Sequence, residues 1–220
     1  RAAQGRSIMS KLLIALLLCV VPLAHAHEVT LTKVAVQTDL PTMERGADTL
    51  MNNCHSCHSL KYIKYRDLMK LGISKQKVDG WRGELGLDTP LLAQMSESDA
   101  LQSFGTAPPD LSLMSKARDG GPNYVYSYLL GYYLNASGVP GNHIFPETKM
   151  PDPLGVSGAN DPAQLNSIKD QARDIVSFLN WSADPQQSAR LKLGYYVIGY
   201  LLVLTFLLYL VKNQIWSRLD

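Results

Sequence analysis

Two cysteines and a histidine at close, fixed spacing are the residues in this sequence that point most directly to chemistry. Cys54, Cys57 and His58 form the pattern C-x-x-C-H, which is typical of covalent haem attachment. One helical turn presents both thiols to the two vinyl groups of a haem, and the following histidine then lies beneath the iron as its proximal ligand. The pattern occurs once, so we expect one covalently bound haem c.

Three other interpretations of the cysteine pair are weaker. A structural zinc site usually has four protein ligands, and beyond the motif only His143 remains as a distant candidate. A thioredoxin-like redox pair requires a βαβ context, which the sequence pattern does not indicate. A disulfide across two residues would be strained. We expect His55, inside the motif, to face solvent rather than to bind a metal.

The axial ligand opposite the histidine has to be chosen among several side chains. Four methionines follow the motif: Met69, Met95, Met114 and Met150. A methionine opposite a histidine raises the redox potential, as an electron carrier requires. Met69 and Met114 fall in predicted amphipathic helices, where methionine usually packs in the core, and Met95 borders a helix start. Met150 stands in a long loop whose prolines would stiffen its backbone, so it is the preferred ligand, with His143 as the alternative. An iron with both axial positions filled favours electron transfer over oxygen or peroxide chemistry.

Composition and charge restrict the class of protein. The chain has 220 residues, of which 46% are hydrophobic and 18% charged, enough for one domain of ordinary size with targeting and anchoring segments. The formal charge of +2 includes three basic residues before position 27, and without them 18 basic residues face 19 acidic ones, a net charge of −1. This balance argues against nucleic acid as a partner and suits a docking partner with a basic face.

The N-terminal apolar segment has the layout of a secretory signal. Lys11 precedes an apolar run of about 12 residues, too short to span a bilayer, and Ala24 and Ala26 form an A-x-A cleavage site. We therefore expect residues 1–26 to be a signal peptide, with an uncleaved N-terminal anchor as the alternative. The residues before Met9 are interpreted as an upstream start or the end of a longer precursor.

The C-terminal apolar segment is predicted to span a membrane. Residues 193–211 contain no charged side chain, and 19 such residues make about 28 Å of helix, close to the ~30 Å of a hydrocarbon core. The predicted transmembrane helix is 190–212. Two basic residues flank it on each side, so the flanking charges do not set its orientation. The predicted signal peptide does: we expect residues 27–189 to lie outside and residues 213–220 to form a cytoplasmic tail.

The pattern of apolar residues predicts a mainly α domain with large loops. Helices are predicted at 42–53, 59–71, 96–105, 111–118 (with Asp110 as N-cap), 123–134 and 162–181. Residues 27–41 are expected to lie over the domain in an extended form. Residues 72–95 are expected to be irregular because they are rich in glycine, and residues 135–160 are expected to form a long loop because they are rich in glycine, proline and asparagine.

Several blocks of sequence, in this order, resemble the cytochrome c1 family, the haem subunits of the cytochrome bc1 complex (quinol–cytochrome c reductase). The blocks are CHSCH at 54–58 with LKYIKYRDL at 60–68, APPDLS at 107–112, ARDGG at 117–121 with YVYS at 124–127, FP at 145–146, MPDPL at 150–154, and the C-terminal span. The resemblance implies a class I cytochrome c-like domain with one C-terminal transmembrane helix. Apart from LKYIKYRDL at 60–68, the segment between His58 and Asp99 offers no feature that we match to the family.

The resemblance also implies roles for eight residues. They are haem attachment by Cys54 and Cys57, axial ligation by His58 and Met150, propionate binding by Arg118 and Tyr124, and a wall at the haem edge from Pro108 and Pro109. A guanidinium can clamp a propionate carboxylate through two hydrogen bonds. The alternative for Arg118 is a solvated arginine at a helix end.

The implied partners are those of a bacterial respiratory complex. A membrane cytochrome b and a Rieske iron–sulfur protein would accompany the chain, the Rieske protein would reduce its haem, and a cytochrome c would accept the electron. The resemblance implies an inner-membrane location with the haem domain on the periplasmic side, in a complex that is a dimer. The alternatives are a stand-alone membrane-tethered cytochrome c serving a terminal oxidase, and a haem enzyme or sensor with an open sixth site.

Overall fold

The structure, a computed structural model, describes residues 30–218. The predicted signal peptide therefore lies outside the described residues. The helices are α1 (Leu40–Asn53), α2 (Tyr65–Lys70), α3 (Lys75–Arg82), α4 (Glu97–Phe104), α5 (Met114–Ala117), α6 (Pro122–Leu130), α7 (Pro162–Ser182) and α8 (Gln187–Trp216). The strands are β1 (Leu60–Lys64), β2 (Pro90–Leu91), β3 (Tyr132–Leu134) and β4 (Pro140–Asn142). The mainly α fold class is confirmed.

Helices α1 and α7 form the centre of the domain. On α1, Met43, Ala47 and Leu50 are buried, at the three- and four-residue spacing that places side chains on one helix face. They pack in one core with Ile175 and Phe178 of α7. Each helix begins at an aspartate whose side chain accepts backbone N–H groups, as an N-cap does, so these two predicted helices are confirmed.

The two central helices cross closely at a glycine. A Cβ atom at Gly46 would overlap the backbone carbonyl oxygen of Asp174 and lie 2.9 Å from the Cβ atom of Phe178. Beside this crossing, Arg45 Nε donates a hydrogen bond to Asp174 Oδ2 at 2.6 Å. The helices therefore meet backbone against backbone at Gly46, and an ion pair joins them at the same place.

We expect Gly46→Ala to lower the free energy of unfolding by about 1–3 kcal/mol or more, because the added methyl group forces α1 and α7 apart. Urea unfolding of the detergent-solubilised chain, followed by circular dichroism, measures this. The matched control is Gly80→Ala in α3, where a Cβ meets nothing within 4 Å and alanine is the better helix former by ~1 kcal/mol. If both variants unfolded at the same urea concentration, the close crossing would be wrong.

The segment before α1 lies over α6 and α7 in an extended form, as predicted. Its backbone N–H groups donate to side chains of those helices: Thr32 to Ser127 Oγ at 2.7 Å, Val34 to Asn123 Oδ1 at 2.9 Å, and Gln37 to Ser177 Oγ at 3.1 Å. The segment thus finds its hydrogen-bond partners without joining a sheet.

The prediction of one helix at 59–71 is wrong. Residues 60–64 form β1, which pairs antiparallel with β2, with Leu60 opposite Leu91, and only α2 is helical. The strand depends on a partner thirty residues away, which local periodicity does not reveal. Residues 72–95, predicted to be irregular, contain α3 and β2.

Two further predicted helices are shorter than expected. Only Met114–Ala117 is helical within 111–118, because the Asp110 carboxylate accepts the backbone N–H groups of Ser112 and Lys61 and caps no helix. Helix α6 ends at Leu130, and residues 132–134 form β3, which pairs with β4 from the predicted loop. The predicted helix at 96–105 is confirmed as α4, with Ser96 as its N-cap.

The C-terminal helix α8 has 30 residues, and an 18-residue stretch within it has a mean hydropathy of 2.0. No side chain of α8 is buried. Within residues 30–218 it is the one helix long and apolar enough to cross a membrane, so the predicted C-terminal span is present as a continuous helix. Asp184, in the connection from α7, accepts a hydrogen bond from Lys116 Nζ at 2.8 Å and also pairs with Arg190 at the start of α8.

Candidate haem-binding site

The C-x-x-C-H motif forms a tight turn directly after α1. The backbone N–H groups of Cys57 and His58 both donate to the carbonyl oxygen of Cys54, at 3.1 and 2.9 Å. The turn brings both cysteines to one place, and both thiols are free. Cys54 is buried and Cys57 is half-buried. The backbone of α1 and its last turn thus position the two attachment residues.

The environment of Cys54 does not suit a reactive thiolate. Burial, and to a smaller extent the neighbouring Cys57, raise the pKa of the Cys54 thiol to about 11. A redox-active pair requires a lowered thiol pKa, so this geometry favours attachment over thiol–disulfide exchange. Within the described residues, no three His, Cys, Asp or Glu side chains come together as a metal cage.

His58 is held in the form that binds a metal. Its side chain is buried, and Nδ1 lies 2.8 Å from the carbonyl oxygen of Pro109. A carbonyl oxygen only accepts, so Nδ1 carries the hydrogen and Nε2 keeps a free lone pair. Burial lowers the pKa of His58, which keeps the ring neutral. A neutral imidazole whose far nitrogen is fixed by a carbonyl is a typical metal ligand, so these residues fit a haem iron.

The Pro109 carbonyl is itself held in place by the next residue. Asp110 Oδ2 accepts the N–H of Lys61 at 2.9 Å, and Asp110 Oδ1 accepts the N–H of Ser112 at 2.9 Å. The carboxylate thereby ties the loop to β1, directly after the motif. The sequence predicted Pro109 as a wall at the haem edge but did not predict its carbonyl as the partner of His58. Every residue has a backbone carbonyl, and no sequence signal distinguishes this one.

The expectation that His55 faces solvent is wrong. The His55 side chain is 3% exposed, and its Nδ1 lies 3.3 Å from the carbonyl oxygen of His58. Burial lowers its pKa. The turn folds back on itself, so the second residue of the motif points inward and Ser56 is the exposed one.

The structure brings the two predicted propionate ligands together. Arg118 Cζ lies 5.9 Å from the centroid of the Tyr124 ring, over its face, as in a cation–π contact. Arg118 ends α5 and Tyr124 lies in the first turn of α6. Between them, Gly120 and Gly121 both have positive φ, which only glycine adopts freely. That Arg118 and Tyr124 bind the haem propionates remains a prediction.

Met150 is half-buried in a loop that hydrogen bonds hold at two points, Met150 itself and Pro153. Its N–H donates to Thr148 Oγ1 at 3.2 Å, and its carbonyl oxygen accepts from the Tyr132 hydroxyl at 3.2 Å. Three residues on, the Pro153 carbonyl accepts from Asn53 Nδ2 at 3.2 Å. Asn53 directly precedes Cys54, so the methionine loop is fastened to the motif. Ligation by the Met150 sulfur remains a prediction.

The other candidate ligands lie in different settings. Met69 and Met114 pack against the core, as expected of methionines in helices. The alternative, His143, is exposed and stacks on Tyr133 with ring centroids 4.2 Å apart. The sequence indicates no particular environment for Met95. In the structure its N–H donates to the carbonyl oxygen of Ser56 at 2.9 Å, so its backbone lies against the motif.

A mainly helical domain with this turn, a histidine prepared for iron, and a C-terminal helix of membrane-spanning length define a c-type cytochrome with a membrane anchor. The sequence matches the model of the Cytochrome C1 family over residues 30–90 and 88–219. The chain belongs to the cytochrome c1 family, and it carries one covalently bound haem c.

Relatives from bacteria and mitochondria agree with this assignment. The chain is 33% identical to cytochrome c1 of Rhodospirillum rubrum, in a match that covers 81% of this chain and 82% of that protein. It is 32% identical to cytochrome c1 of Allochromatium vinosum, over 81% of this chain and 85% of that protein. The mitochondrial cytochrome c1 haem protein of Schizosaccharomyces pombe is 29% identical, over 87% of this chain and 71% of that protein.

A solved structure supports the fold. A chain from a hyperthermophilic respiratory Complex III superposes with a TM-score of 0.50 at 21% identity, and the match covers 100% of this chain and 99% of that chain. The predicted class I cytochrome c-like domain with one C-terminal helix is consistent with this fold.

Proposed function

We propose that the chain is the electron-transfer subunit of a quinol–cytochrome c reductase of the bc1 type. It takes one electron at a time from a Rieske iron–sulfur protein and passes it to a cytochrome c. The observation that carries the proposal is the 2.8 Å contact between His58 Nδ1 and the Pro109 carbonyl, which leaves Nε2 free for iron. Membership of the cytochrome c1 family supports the assignment to a complex.

Four residues form the proposed attachment and ligand set. Cys54 and Cys57 would hold the haem through thioethers, and His58 Nε2 and the Met150 sulfur would bind its iron. The haem iron would supply one-electron oxidation and reduction. With both of these side chains bound, the iron would have no place for a substrate. The function is therefore electron transfer, and turnover belongs to the whole complex.

The remaining site residues set the environment of the group. Arg118 and Tyr124, already in contact, bind the propionates. Pro108 and Pro109 form the wall at the haem edge. The buried side chains of Cys54, His55 and His58 keep water from the proximal side, and burial is one of the factors that tune a haem potential.

The topology follows from the two apolar segments. Residues 1–26 act as a secretory signal, residues 27–189 form a periplasmic domain, residues 190–212 span the inner membrane, and residues 213–220 form a cytoplasmic tail. The exposed apolar surface of α8 supports the span, since such a surface requires lipid or other membrane helices around it. The partners are a cytochrome b, the Rieske protein and a cytochrome c, in a complex that is a dimer.

The test is purification of the tagged chain from mildly solubilised membranes, followed by a reduced-minus-oxidised spectrum. We expect b-type haem bands beside the c-type band, with an iron–sulfur protein in the same fraction. A c-type band alone, at every detergent concentration that keeps the protein soluble, would contradict the complex. The chain would then be an independent membrane-tethered carrier.

A further inference from the structure

Three tyrosines at four-residue spacing run from the start of α6 into β3. They are Tyr124, Tyr128 and Tyr132, here called the tyrosine ladder. The rings of Tyr124 and Tyr128 stack with centroids 6.3 Å apart, and those of Tyr128 and Tyr132 meet edge to face at 5.7 Å. Tyr124 and Tyr128 lie on one face of α6, as residues four apart in a helix do, and Tyr132 in β3 continues the aromatic stripe. One end touches Arg118.

The other end of the tyrosine ladder is bonded to the backbone of Met150. The Tyr128 hydroxyl lies 2.5 Å from Thr148 Oγ1 and 3.0 Å from the Tyr132 hydroxyl. The Tyr132 hydroxyl donates to the Met150 carbonyl oxygen, and the Met150 N–H donates to Thr148 Oγ1. These four bonds close a ring, and such networks strengthen each bond within them.

The Met150 carbonyl is thus bonded to Tyr132 of β3, and its N–H is bonded to Thr148, which Tyr128 of α6 holds in turn. Tyr132 is 4% exposed, so its hydroxyl has little access to water and its partners are the Tyr128 hydroxyl and the Met150 carbonyl. A thioether is a neutral ligand that competes with water and small molecules for iron. How tightly the sulfur binds the iron therefore depends on how well the chain positions it.

We propose that Tyr128 and Tyr132 are positioning residues for Met150: their hydroxyls hold its backbone where the sulfur reaches the iron. The inference rests on the proposed ligation by Met150. It gives the tyrosine ladder a role beyond propionate contact at Tyr124, since the segment from α6 to β3 carries Tyr124 at one end of the site and positions Met150 at the other.

Tyr132→Phe removes the donor to Met150 and keeps the ring. Loss of one such hydrogen bond shifts an equilibrium about two- to tenfold, so we expect the fraction of haem with released sulfur to rise by that factor. In the purified complex, this weakens the far-red absorption band that marks methionine bound to ferric haem. It also raises carbon monoxide binding to the ferrous haem by the same factor.

The matched control is Tyr126→Phe, the same change at a buried residue of α6 whose hydroxyl makes none of these bonds. Tyr128→Phe is the second variant. It keeps the Tyr132–Met150 bond and breaks the link to Thr148, so a smaller change in the same direction is expected. If the Tyr132 variant does not assemble, the Tyr128 variant alone decides.

A double-mutant comparison separates this inference from the proposed ligand. In a Met150→Leu background, Tyr132→Phe should no longer change carbon monoxide binding, because the group it positions is gone. An equal effect in both backgrounds, or no effect of either tyrosine variant in the wild-type background, would overturn the positioning role. If Met150→Leu itself left the far-red band and carbon monoxide binding unchanged, the ligand assignment would fail instead.

Discussion

Replacing Met150 with leucine is expected to lower the midpoint potential of the haem by a large part of the ~0.8 V range that axial ligands control. Leucine has nearly the same size but no sulfur, so the iron loses the ligand that favours its reduced state. The freed position should also bind carbon monoxide when the haem is reduced. A redox titration of the c-type band in the purified complex measures the change.

The control for this prediction is Met114→Leu, the same replacement at a methionine that packs against the core. Its potential should match that of the wild type. An unchanged potential in the Met150 variant would mean that another residue binds the iron. His143 would be tested next as the predicted alternative, and then Met95, whose backbone lies against the motif.

Replacing Cys57 with serine is expected to remove or strongly weaken the covalent haem. A hydroxyl does not form the thioether that a thiol forms with a vinyl group, and only Cys54 remains as an attachment point. Changing both cysteines should abolish covalent haem altogether. Haem staining of a denaturing gel measures this, because only covalently attached haem stays with the unfolded chain.

The matched control is Ser56→Ala. Ser56 lies between the cysteines and is exposed, and its replacement leaves both sulfurs in place, so staining should be normal. Normal staining of the double cysteine variant would contradict covalent attachment at this motif.

The parts of the fold that the sequence predicted are those determined by local pattern. Helices α1, α4 and α7 have their N-cap residues and apolar spacing within one short segment. The motif Cys54–His58 carries its chemistry in five adjacent residues, and α8 is identified by length and hydropathy alone. In each case the physical cause lies inside the segment.

The parts that it did not predict depend on distant partners. The sequence of β1 has the apolar pattern of an amphipathic helix, and it forms a strand because it pairs with β2. Asp110 has the sequence setting of an N-cap, but it accepts the N–H of Lys61, which reaches it only when the loop folds back on β1. His55 is buried by the fold of the turn around it.

The candidate site shows the same division. The residue types and their order pointed to Cys54, Cys57, His58 and Met150. The groups that hold them, the Pro109 carbonyl behind His58 and the hydroxyls behind Met150, come from segments that no spacing rule connects. The four-residue spacing of the tyrosine ladder is visible in the sequence, but its contact with Thr148 across the β3–β4 hairpin is not.

The most direct test of the account is the quinol-driven reduction of this haem in the purified complex. Quinol is added to the oxidised complex, the c-type band is followed in time, and oxidised cytochrome c is then added. We expect quinol to reduce the haem and cytochrome c to reoxidise it, with reduction abolished when the iron–sulfur protein is removed. A c-type band that stays oxidised with quinol, or that cytochrome c does not reoxidise, would contradict a place between quinol oxidation and cytochrome c.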